Sequence, residues 1–239
     1  KDINSGINGS NLGELTAVGN TLYFAAKDGI NGGELWKSNG TEAGTVMVKD
    51  IDNGSGSSSP SSLAAIGNTL YFAADNGING SELWMSDGTE AGTMMVKDLE
   101  SGENYSNPSG FTAIGNTIYF TTSYGINGSE LWMSDGTEAG TVMVKDINSG
   151  SDSSSPGSLT AIGNTLYFAA KDGINGSELW MSDGTAAGTV MVKDINSGGD
   201  DSSLYGLTAI GNTFYFGADN GINGKELWMF KIHTEVTYS

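Results

Sequence analysis

The chain has 239 residues, with 28 acidic and 10 basic side chains, a net charge of −18 at pH 7 and no cysteine. Disulfides and cysteine-based zinc sites are therefore excluded, and the negative charge argues against nucleic acid or an anionic membrane surface as a partner. There is no arginine and a single histidine, so side chains common in catalytic and metal centres are scarce. No apolar run approaches the ~18 residues of a membrane span, so we expect no membrane insertion.

The sequence repeats every 48 residues. Five tryptophans stand in this register: Trp36, Trp84, Trp132, Trp180 and Trp228. Lys-Asp pairs recur with the same spacing, beginning at Lys1 and Lys49. A period of about 40–50 residues with regular glycine-rich segments is typical of repeat architectures.

Each unit contains four short apolar runs, which we name A to D in chain order. In the second unit they cover residues 63–66, 69–74, 82–85 and 93–96. Gly67-Asn68 and Asp87-Gly88 separate them, and such pairs favour tight turns that need a positive φ. The runs are rich in Tyr, Phe, Thr, Val and Trp and are too short for helices, so we predict four β-strands in every unit.

Strands B and D are apolar on both faces, which indicates that sheets pack on sheets. Four-stranded antiparallel sheets arranged around an axis make a β-propeller. We therefore predict an all-β, five-bladed β-propeller with four antiparallel strands per blade, in one domain over residues 1–239. The tryptophans are expected to fill the gaps between blades. An open solenoid is the alternative, but it requires atypical polar units at both ends.

The last unit departs from the repeat after Trp228, where the Met-Ser-Asp-Gly-Thr segment and the following Lys-Asp pair are absent. The missing continuation matches the start of the chain at Lys1. We therefore predict that the ring is closed by the N- and C-terminal segments in one blade, with residues 236–239 close to residues 1–3. Closure would remove an exposed sheet edge, and we expect a monomer.

The octet Glu-Leu-Trp-Met-Ser-Asp-Gly-Thr occurs at residues 82–89 and 130–137. It resembles the bacterial ELWxxDGT-repeat proteins, and the resemblance covers essentially the whole chain. The resemblance implies an extracellular or cell-surface bacterial protein, in a family without a well-defined biochemical activity. The predicted architecture is also similar in outline to that of tachylectin-2, a five-bladed lectin that binds N-acetyl sugars. This is a likeness of fold, which does not fix function.

The D–A linkers, which join strand D of one unit to strand A of the next, are rich in oxygen-bearing side chains. Calcium prefers such ligands, and alternate Asp and Asn residues around a glycine supply several of them. No required cofactor is predicted, but the linkers offer these candidate calcium ligands: Asp50, Asp52, Asp146, Asn148, Asp152, Asp194, Asn196 and Asp200. The alternative is that Asp and Asn cap turns through the neighbouring backbone, and no distant bidentate glutamate follows at calcium-loop spacing.

The B–C turns and D–A linkers are expected on one face of the disc, where a ligand would bind. Candidate ligand-binding residues are one asparagine in each B–C turn and three tyrosines that break the repeat: Asn31, Asn79, Asn127, Asn175, Asn223, Tyr105, Tyr124 and Tyr205. The asparagines also suit left-handed turns, and the tryptophan column also suits a core. The third unit departs most from its siblings, at Tyr105, Tyr124, Thr121-Thr122 and the linker after Asp98.

These patterns favour a non-catalytic binding module that recognises glycans or other polar ligands through repeated loop sites, which would give avidity. The alternative is a structural scaffold without a specific ligand, which the near-identity of the units favours equally. An enzyme is disfavoured, because five repeated glutamates without a partner base do not form an acid–base pair.

Overall fold

The computed structural model describes residues 1–102, 104–211 and 213–231 of the chain. Within them it contains nineteen β-strands and no helix, arranged as five antiparallel sheets. This confirms the predicted all-β class and the predicted repetition of one sheet per 48-residue unit. Four of the sheets have four strands, as predicted, and the fifth has three described strands.

The strands follow one another in each sheet in chain order. The first sheet contains β1 (Gly13–Val18), β2 (Thr21–Lys27), β3 (Gly33–Ser38) and β4 (Val46–Lys49). The second contains β5 (Ser61–Ile66), β6 (Thr69–Asp75), β7 (Ser81–Ser86) and β8 (Met94–Lys97). The third contains β9 (Ser109–Ile114), β10 (Thr117–Thr121), β11 (Leu131–Ser134) and β12 (Val142–Lys145). The fourth contains β13 (Gly157–Ile162), β14 (Thr165–Lys171), β15 (Ser177–Ser182) and β16 (Val190–Lys193). The fifth contains β17 (Tyr205–Ile210), β18 (Thr213–Asp219) and β19 (Lys225–Lys231).

The second sheet shows why these residues form strands. Gly67 adopts a φ of +58° in the turn between β5 and β6, a conformation that glycine reaches without steric cost. Phe72 pairs with Trp84 across β6 and β7, so the two rings lie on the same face. Every residue of β6 between its two ends is buried, which confirms that both faces of strand B are covered.

Strand A contains an irregularity that the sequence pattern did not indicate. The register between β5 and β6 shifts between Ser61 and Ala64, and Ser62 has a φ of +56°. The equivalent residue of the third sheet is Gly110, with a φ of +67°. A bulge therefore recurs near the start of strand A whether or not a glycine is present to relieve it.

The chain divides into two compact units, one formed by residues 1–126 with 132–142 and the other by residues 127–131 with the described residues from 143 onward. In the first, β1 lies beside β5 and β5 beside β9; in the second, β13 lies beside β17. The organisation of residues 1–239 as one domain stays a prediction. In the described part of the chain, no helix has the length and apolar character that crossing a membrane requires.

Trp84 lies in the core between the first and second sheets. Its side chain is 6% exposed and belongs to one apolar cluster with Val18 and Leu35 of the first sheet and Phe72 of the second. This confirms the predicted place of a repeated tryptophan between successive sheets.

A lysine at the end of strand D connects each sheet to the next. Lys49 Nζ donates a hydrogen bond to the Thr93 carbonyl oxygen at 2.8 Å and lies 6.0 Å from the centre of the Trp84 ring. Lys97 and Lys145 donate in the same way to carbonyl oxygens 44 residues further along. Lys1 does so to Thr45, at the start of the chain.

Strand C of the fifth sheet, β19, lacks the neighbouring strand D that the other four sheets have in the described residues. In the described residues β19 pairs with β18 and has no strand on its outer side. Leu227 of β19 is consequently 77% exposed, whereas Leu35 and Leu83 at the same repeat position are 0% exposed. The predicted closing segment, residues 236–239, lies outside the described residues, so closure of a ring stays a prediction, as does the monomeric state.

Candidate functional site

The D–A linkers and B–C turns contact each other in the structure. After the first sheet, the Ser57 hydroxyl accepts a hydrogen bond from the Gly33 backbone N–H at 3.0 Å. The Ser59 backbone N–H donates back to the Gly33 carbonyl at 3.1 Å. A surface formed by a turn and the linker after it therefore recurs along the chain.

In most units an Asp or Asn side chain closes the B–C turn. Asp28 Oδ1 accepts hydrogen bonds from the backbone N–H groups of Ile30 and Asn31, both at 2.8 Å. The same caps are made at the equivalent position by Asn76, Asp172 and Asn220. These are Asx turns, in which a short polar side chain replaces a backbone partner.

The repeated asparagines predicted as ligand contacts lie within these turns. The Asn31 and Asn175 amides each donate at 2.7 Å to the capping aspartate of their own turn. The Asn79 amide donates to Asp98 at 2.8 Å. Asn223 is exposed, and its backbone N–H donates to Asn220. Asn127 lies in the turn of the third sheet. The amides of Asn31, Asn79 and Asn175 are thus engaged by the protein itself.

The B–C turn of the third sheet lacks the usual cap, because Tyr124 stands where Asp28 and its equivalents stand. The Ile126 backbone N–H instead donates to Glu100 Oε1 at 3.3 Å, across from the linker. Glu100 itself replaces the shorter Asn or Asp found at this linker position in the other units. The strand before the turn, β10, also ends two residues early relative to β6 and β14.

The linker opposite this turn carries a second departure. Ser57 and Ser153 accept the first N–H of a strand C through their hydroxyls, but the equivalent residue after the second sheet is Tyr105. Its ring faces solvent at 51% exposure, and that of Tyr124 is 65% exposed. Two aromatic side chains thus stand where the other units have small capping residues.

Between them lies a cavity of about 690 Å³, which we call the tyrosine cleft. It is larger than a cavity of about 480 Å³ beside Asp194 in the fourth linker, and it falls in the range of about 300–1,000 Å³ typical of small-molecule sites. Its lining consists of Glu100, Asn104, Tyr105, Asn107, Tyr124, Gly125 and Ile126. Within the described residues, the two tyrosine hydroxyls and the Asn107 side-chain amide make no hydrogen bond, so they are available to a ligand.

The linker that carries Glu100 and Tyr105 is anchored on both sides by one buried carboxylate. Glu82, at the start of strand C and 0% exposed, accepts hydrogen bonds from the Leu99 N–H at 2.8 Å and the Ser106 N–H at 3.1 Å. The Ser106 hydroxyl donates to it at 2.8 Å. Burial raises the pKa of Glu82 to about 7, against the opposing effect of these hydrogen bonds.

Of the three tyrosines predicted from the sequence, the structure brings two together. Tyr205 lies in the fifth sheet, where the Lys225 ammonium is 5.7 Å from its ring centre. Thr121 and Thr122 are buried and do not line the cleft. The linker after Asp98 was singled out from the sequence as a whole, but Glu100, Asn104 and Asn107 within it were not. An alignment of the five units would have revealed Glu100, because it replaces a shorter residue.

The predicted calcium ligands act mainly as turn caps. Asp50 and Asp146 each accept a backbone N–H at 3.1 Å, from Gly54 and Gly150. The Asn148 and Asn196 amides donate at 3.2 Å to carbonyls five residues further along.

The remaining four calcium candidates also belong to the D–A linkers. The side chain of Asp52 lies over Gly77, Asp152 is exposed, and Asp194 and Asp200 line the 480 Å³ cavity. Asp50, Asp146 and Asp194 each have one buried carboxylate oxygen without a hydrogen-bond partner in the described part of the chain. However, no three Asp, Glu or His side chains in the described residues are grouped to hold a metal ion. Calcium binding by the linkers stays a prediction.

No protein-family model matches the chain, and no curated protein matches it. Solved structures do. The chain is similar to the computationally designed Ika8 protein, with a TM-score of 0.52 and 16% identity over 92% of this chain and 58% of that one. It is similar to a mutant of prolyl oligopeptidase B from Galerina marginata, with a TM-score of 0.58 and 12% identity over 98% of this chain and 37% of that one. A puromycin-hydrolyzing peptidase from Mycobacterium tuberculosis gives a TM-score of 0.56 and 12% identity over 94% and 38%.

The chain thus spans little more than half the length of the designed protein and about a third of the length of the peptidases. At these identities the likeness extends to the fold alone. It fits a repeated, propeller-like all-β architecture, in agreement with the five sheets.

Proposed function

We propose that this protein is a non-catalytic binding module whose ligand is a saccharide or a similar polar small molecule held in the tyrosine cleft. One observation carries the proposal: the two tyrosines that break the repeat on different segments, Tyr105 and Tyr124, line the same cavity. Two unrelated departures from a scaffold's pattern would not be expected to converge. A ligand site accounts for both.

The chemistry of the cleft suits a saccharide. A sugar ring has an apolar face of C–H groups that packs against an aromatic ring, and hydroxyls around its rim that need hydrogen-bond partners. The cleft supplies two tyrosine rings for the first need. For the second it offers two phenolic hydroxyls, the Asn107 amide and the Glu100 carboxylate.

One principal site is proposed in place of five equivalent ones. The equivalent turns elsewhere are closed by Asx caps, and the protein itself engages the side-chain amides of Asn31, Asn79 and Asn175. Avidity through repeated turn sites therefore gives way to one asymmetric cleft on a regular framework.

Binding without turnover is the natural use of this site. Glycoside hydrolysis ordinarily needs two carboxyl groups about 5–9.5 Å apart, one on each side of the scissile bond. Among the described residues that line the cleft, Glu100 is the single carboxylate. The peptidase activity named for two structural neighbours is not carried over, because this chain corresponds to about a third of each.

We also propose the closed five-bladed propeller and an extracellular or surface location. Support for closure comes from both ends of the described chain. Lys1 and Ile3 pack on the first sheet, against Trp36, as Lys49 and Ile51 pack on the second, against Trp84. At the other end, no described strand pairs with the outer edge of β19. The location rests on the ELWxxDGT resemblance.

The sibling units supply the variants that test the binding proposal. Tyr124→Asp introduces the residue found at the equivalent position in the fourth unit, Asp172. Tyr105→Ser introduces the residue found at the equivalent position in the linker after the first sheet, Ser57, so both variants are expected to fold. We expect each to weaken saccharide binding at least about fivefold, because stacking of a flat ligand on one aromatic ring contributes roughly 1–3 kcal/mol. A glycan array identifies ligands, and calorimetry gives the affinities.

Tyr205→Ser is the matched control, because it removes an exposed tyrosine that lies outside the cleft. It should leave the affinity unchanged. If no saccharide binds, or if the control weakens binding as much as the cleft variants do, the proposal fails and a scaffold role without a ligand is favoured.

A further inference from the structure

The charge around the tyrosine cleft is one-sided. Glu100 contributes a carboxylate to its lining, and among the described residues no lysine lines it. Lys97, three residues before Glu100, is directed elsewhere, because its ammonium donates to the Thr141 carbonyl at 2.8 Å. The whole chain adds a net charge of −18. The potential in the cleft therefore disfavours anionic ligands and favours cationic ones.

Glu100 retains capacity for a cationic group. Its Oε1 atom accepts the Ile126 N–H at 3.3 Å, and its Oε2 atom makes no hydrogen bond in the described part of the chain. A carboxylate is an acceptor only, so the remaining oxygen is satisfied by a donor from water or from a ligand. A protonated amine would make the stronger, charge-assisted bond.

The two tyrosine rings favour the same group. A cation over the face of an aromatic ring is attracted by the ring quadrupole, and at exposed sites this contributes about 0.5–1 kcal/mol. Lys225 already lies 5.7 Å from the Tyr205 ring in this protein, so an ammonium–tyrosine contact occurs on the same framework. In the cleft no protein cation occupies the corresponding place at Tyr105 or Tyr124, among the residues described.

We infer that the tyrosine cleft prefers a saccharide bearing a protonated amino group, with Glu100 as the residue that determines this preference. The inference rests on the proposed function and narrows it to one substrate class. The sugar's C–H face packs on one tyrosine, and the ammonium lies between Glu100 and the ring of the other. N-acetylation removes the positive charge and so removes the preference.

Calorimetry with three trisaccharides tests the inference: a glucosamine trimer with free amines, its N-acetylated counterpart and an acidic galacturonate trimer. At low ionic strength and a pH that keeps the amines protonated, we expect the free-amine trimer to bind about fivefold to tenfold more tightly than the acetylated one. The acidic trimer should bind most weakly. The difference should shrink at high salt, because screening weakens exposed charge pairs.

Glu100→Gln separates charge from structure, because glutamine keeps an oxygen to accept the Ile126 N–H. It should equalise the affinities of the free-amine and acetylated trimers, because the charge that distinguishes them is gone. Glu138→Gln removes the same charge from an exposed turn and should leave the preference intact.

Equal affinity for the free-amine and acetylated trimers in the unmodified protein would overturn the inference and leave the saccharide proposal standing. Preference for the acidic trimer would also overturn it. Absence of binding by all three, together with an empty glycan array, would reject both.

Discussion

The glutamate of the Glu-Leu-Trp motif shows what one residue does in this fold. Glu34 is 0% exposed, and its carboxylate accepts hydrogen bonds from the Ile51 N–H, the Ser58 N–H and the Ser58 hydroxyl. Glu82, Glu130 and Glu178 hold the linkers after their own strands in a similar way. A buried carboxylate with three donors thus replaces the backbone partners that a chain segment outside a sheet would otherwise lack.

The pKa of these glutamates makes stability depend on pH. Burial raises the pKa of Glu82 from 4.5 to about 7, and the pKa values of Glu34, Glu130 and Glu178 are raised for the same reason. Between pH 7 and 4.5 the folded chain therefore binds more protons than the unfolded chain. The free energy of unfolding should accordingly increase as the pH falls from 8 to 5. Hydrogen bonds at exposed turns lower the pKa of Asp87 and Asp183, so stability should fall again once the pH drops below about 4.

Urea unfolding across this pH range checks the expectation. Glu82→Gln should reduce the increase between pH 8 and 5 by at most about 3 kcal/mol, which is the contribution of one group with this shift. Because this substitution changes the net charge of −18 by only one unit, any pH dependence that comes from the overall charge should remain in the variant. A free energy of unfolding that rises steadily from pH 5 to pH 8 would contradict the prediction.

At this scale the sequence was informative where the repeat broke. Tyr105 and Tyr124 could be selected because every equivalent position in the other units holds a small residue, and the structure brings the two tyrosines together. Asn104 and Asn107 could not, because asparagine in a linker rich in Ser, Asn and Gly carries no signal until the fold defines a cavity. The Asn31 series looked like binding residues, since the turn that uses their amides is visible only in three dimensions.

At the scale of single elements, strand positions were the most predictable feature. The run at residues 69–74 became β6 (Thr69–Asp75), and the run at 82–85 became β7 (Ser81–Ser86). Short apolar runs bounded by Gly-Asn and Asp-Gly leave little freedom for other assignments. The bulge in strand A was missed because it places serine at positive φ in two units, where sequence reasoning expects glycine.

The bulge gives a prediction about stability. Ser62 has a φ of +56°, where a Cβ is unfavourable, whereas the third unit has Gly110 at +67°. We expect Ser62→Gly to increase the free energy of unfolding by about 0.5–1 kcal/mol, since relief of strain exceeds the entropy that glycine adds to the unfolded chain.

The reverse change, Gly110→Ser, is the control. A Cβ there would meet only the Thr121 hydroxyl at 3.8 Å, an ordinary contact. It should therefore lower stability by a similar amount through φ alone. Chemical denaturation measures both variants, and a loss of stability in Ser62→Gly would refute the account.

At the scale of the whole molecule, closure can be tested at the fifth glutamate. Glu226 of β19 is exposed, whereas Glu82 at the same repeat position is covered by its linker. If residues 1–3 complete β19 as residues 49–51 complete β3, the Ile3 N–H would donate to Glu226 as the Ile51 N–H donates to Glu34.

We then expect Glu226→Ala to lower the free energy of unfolding by about 2–3 kcal/mol, comparable to Glu82→Ala, because each leaves buried donors unsatisfied. A free edge gives a different result. There the Glu226 variant should stay within about 0.5 kcal/mol of the unmodified chain, as for other exposed substitutions, and the closure proposal would fail.

The repeated hydrogen bond from a lysine to a carbonyl oxygen 44 residues further along the chain has a genetic consequence. The same lysine–carbonyl hydrogen bond joins successive sheets. Unequal recombination that added or deleted one 48-residue segment would therefore recreate an interface that the protein already contains. The number of 48-residue units could thus change during evolution without new contacts having to arise at each interface between sheets. One unit that differs from the others, such as the third, could meanwhile acquire a ligand site while the other units keep their shared sequence.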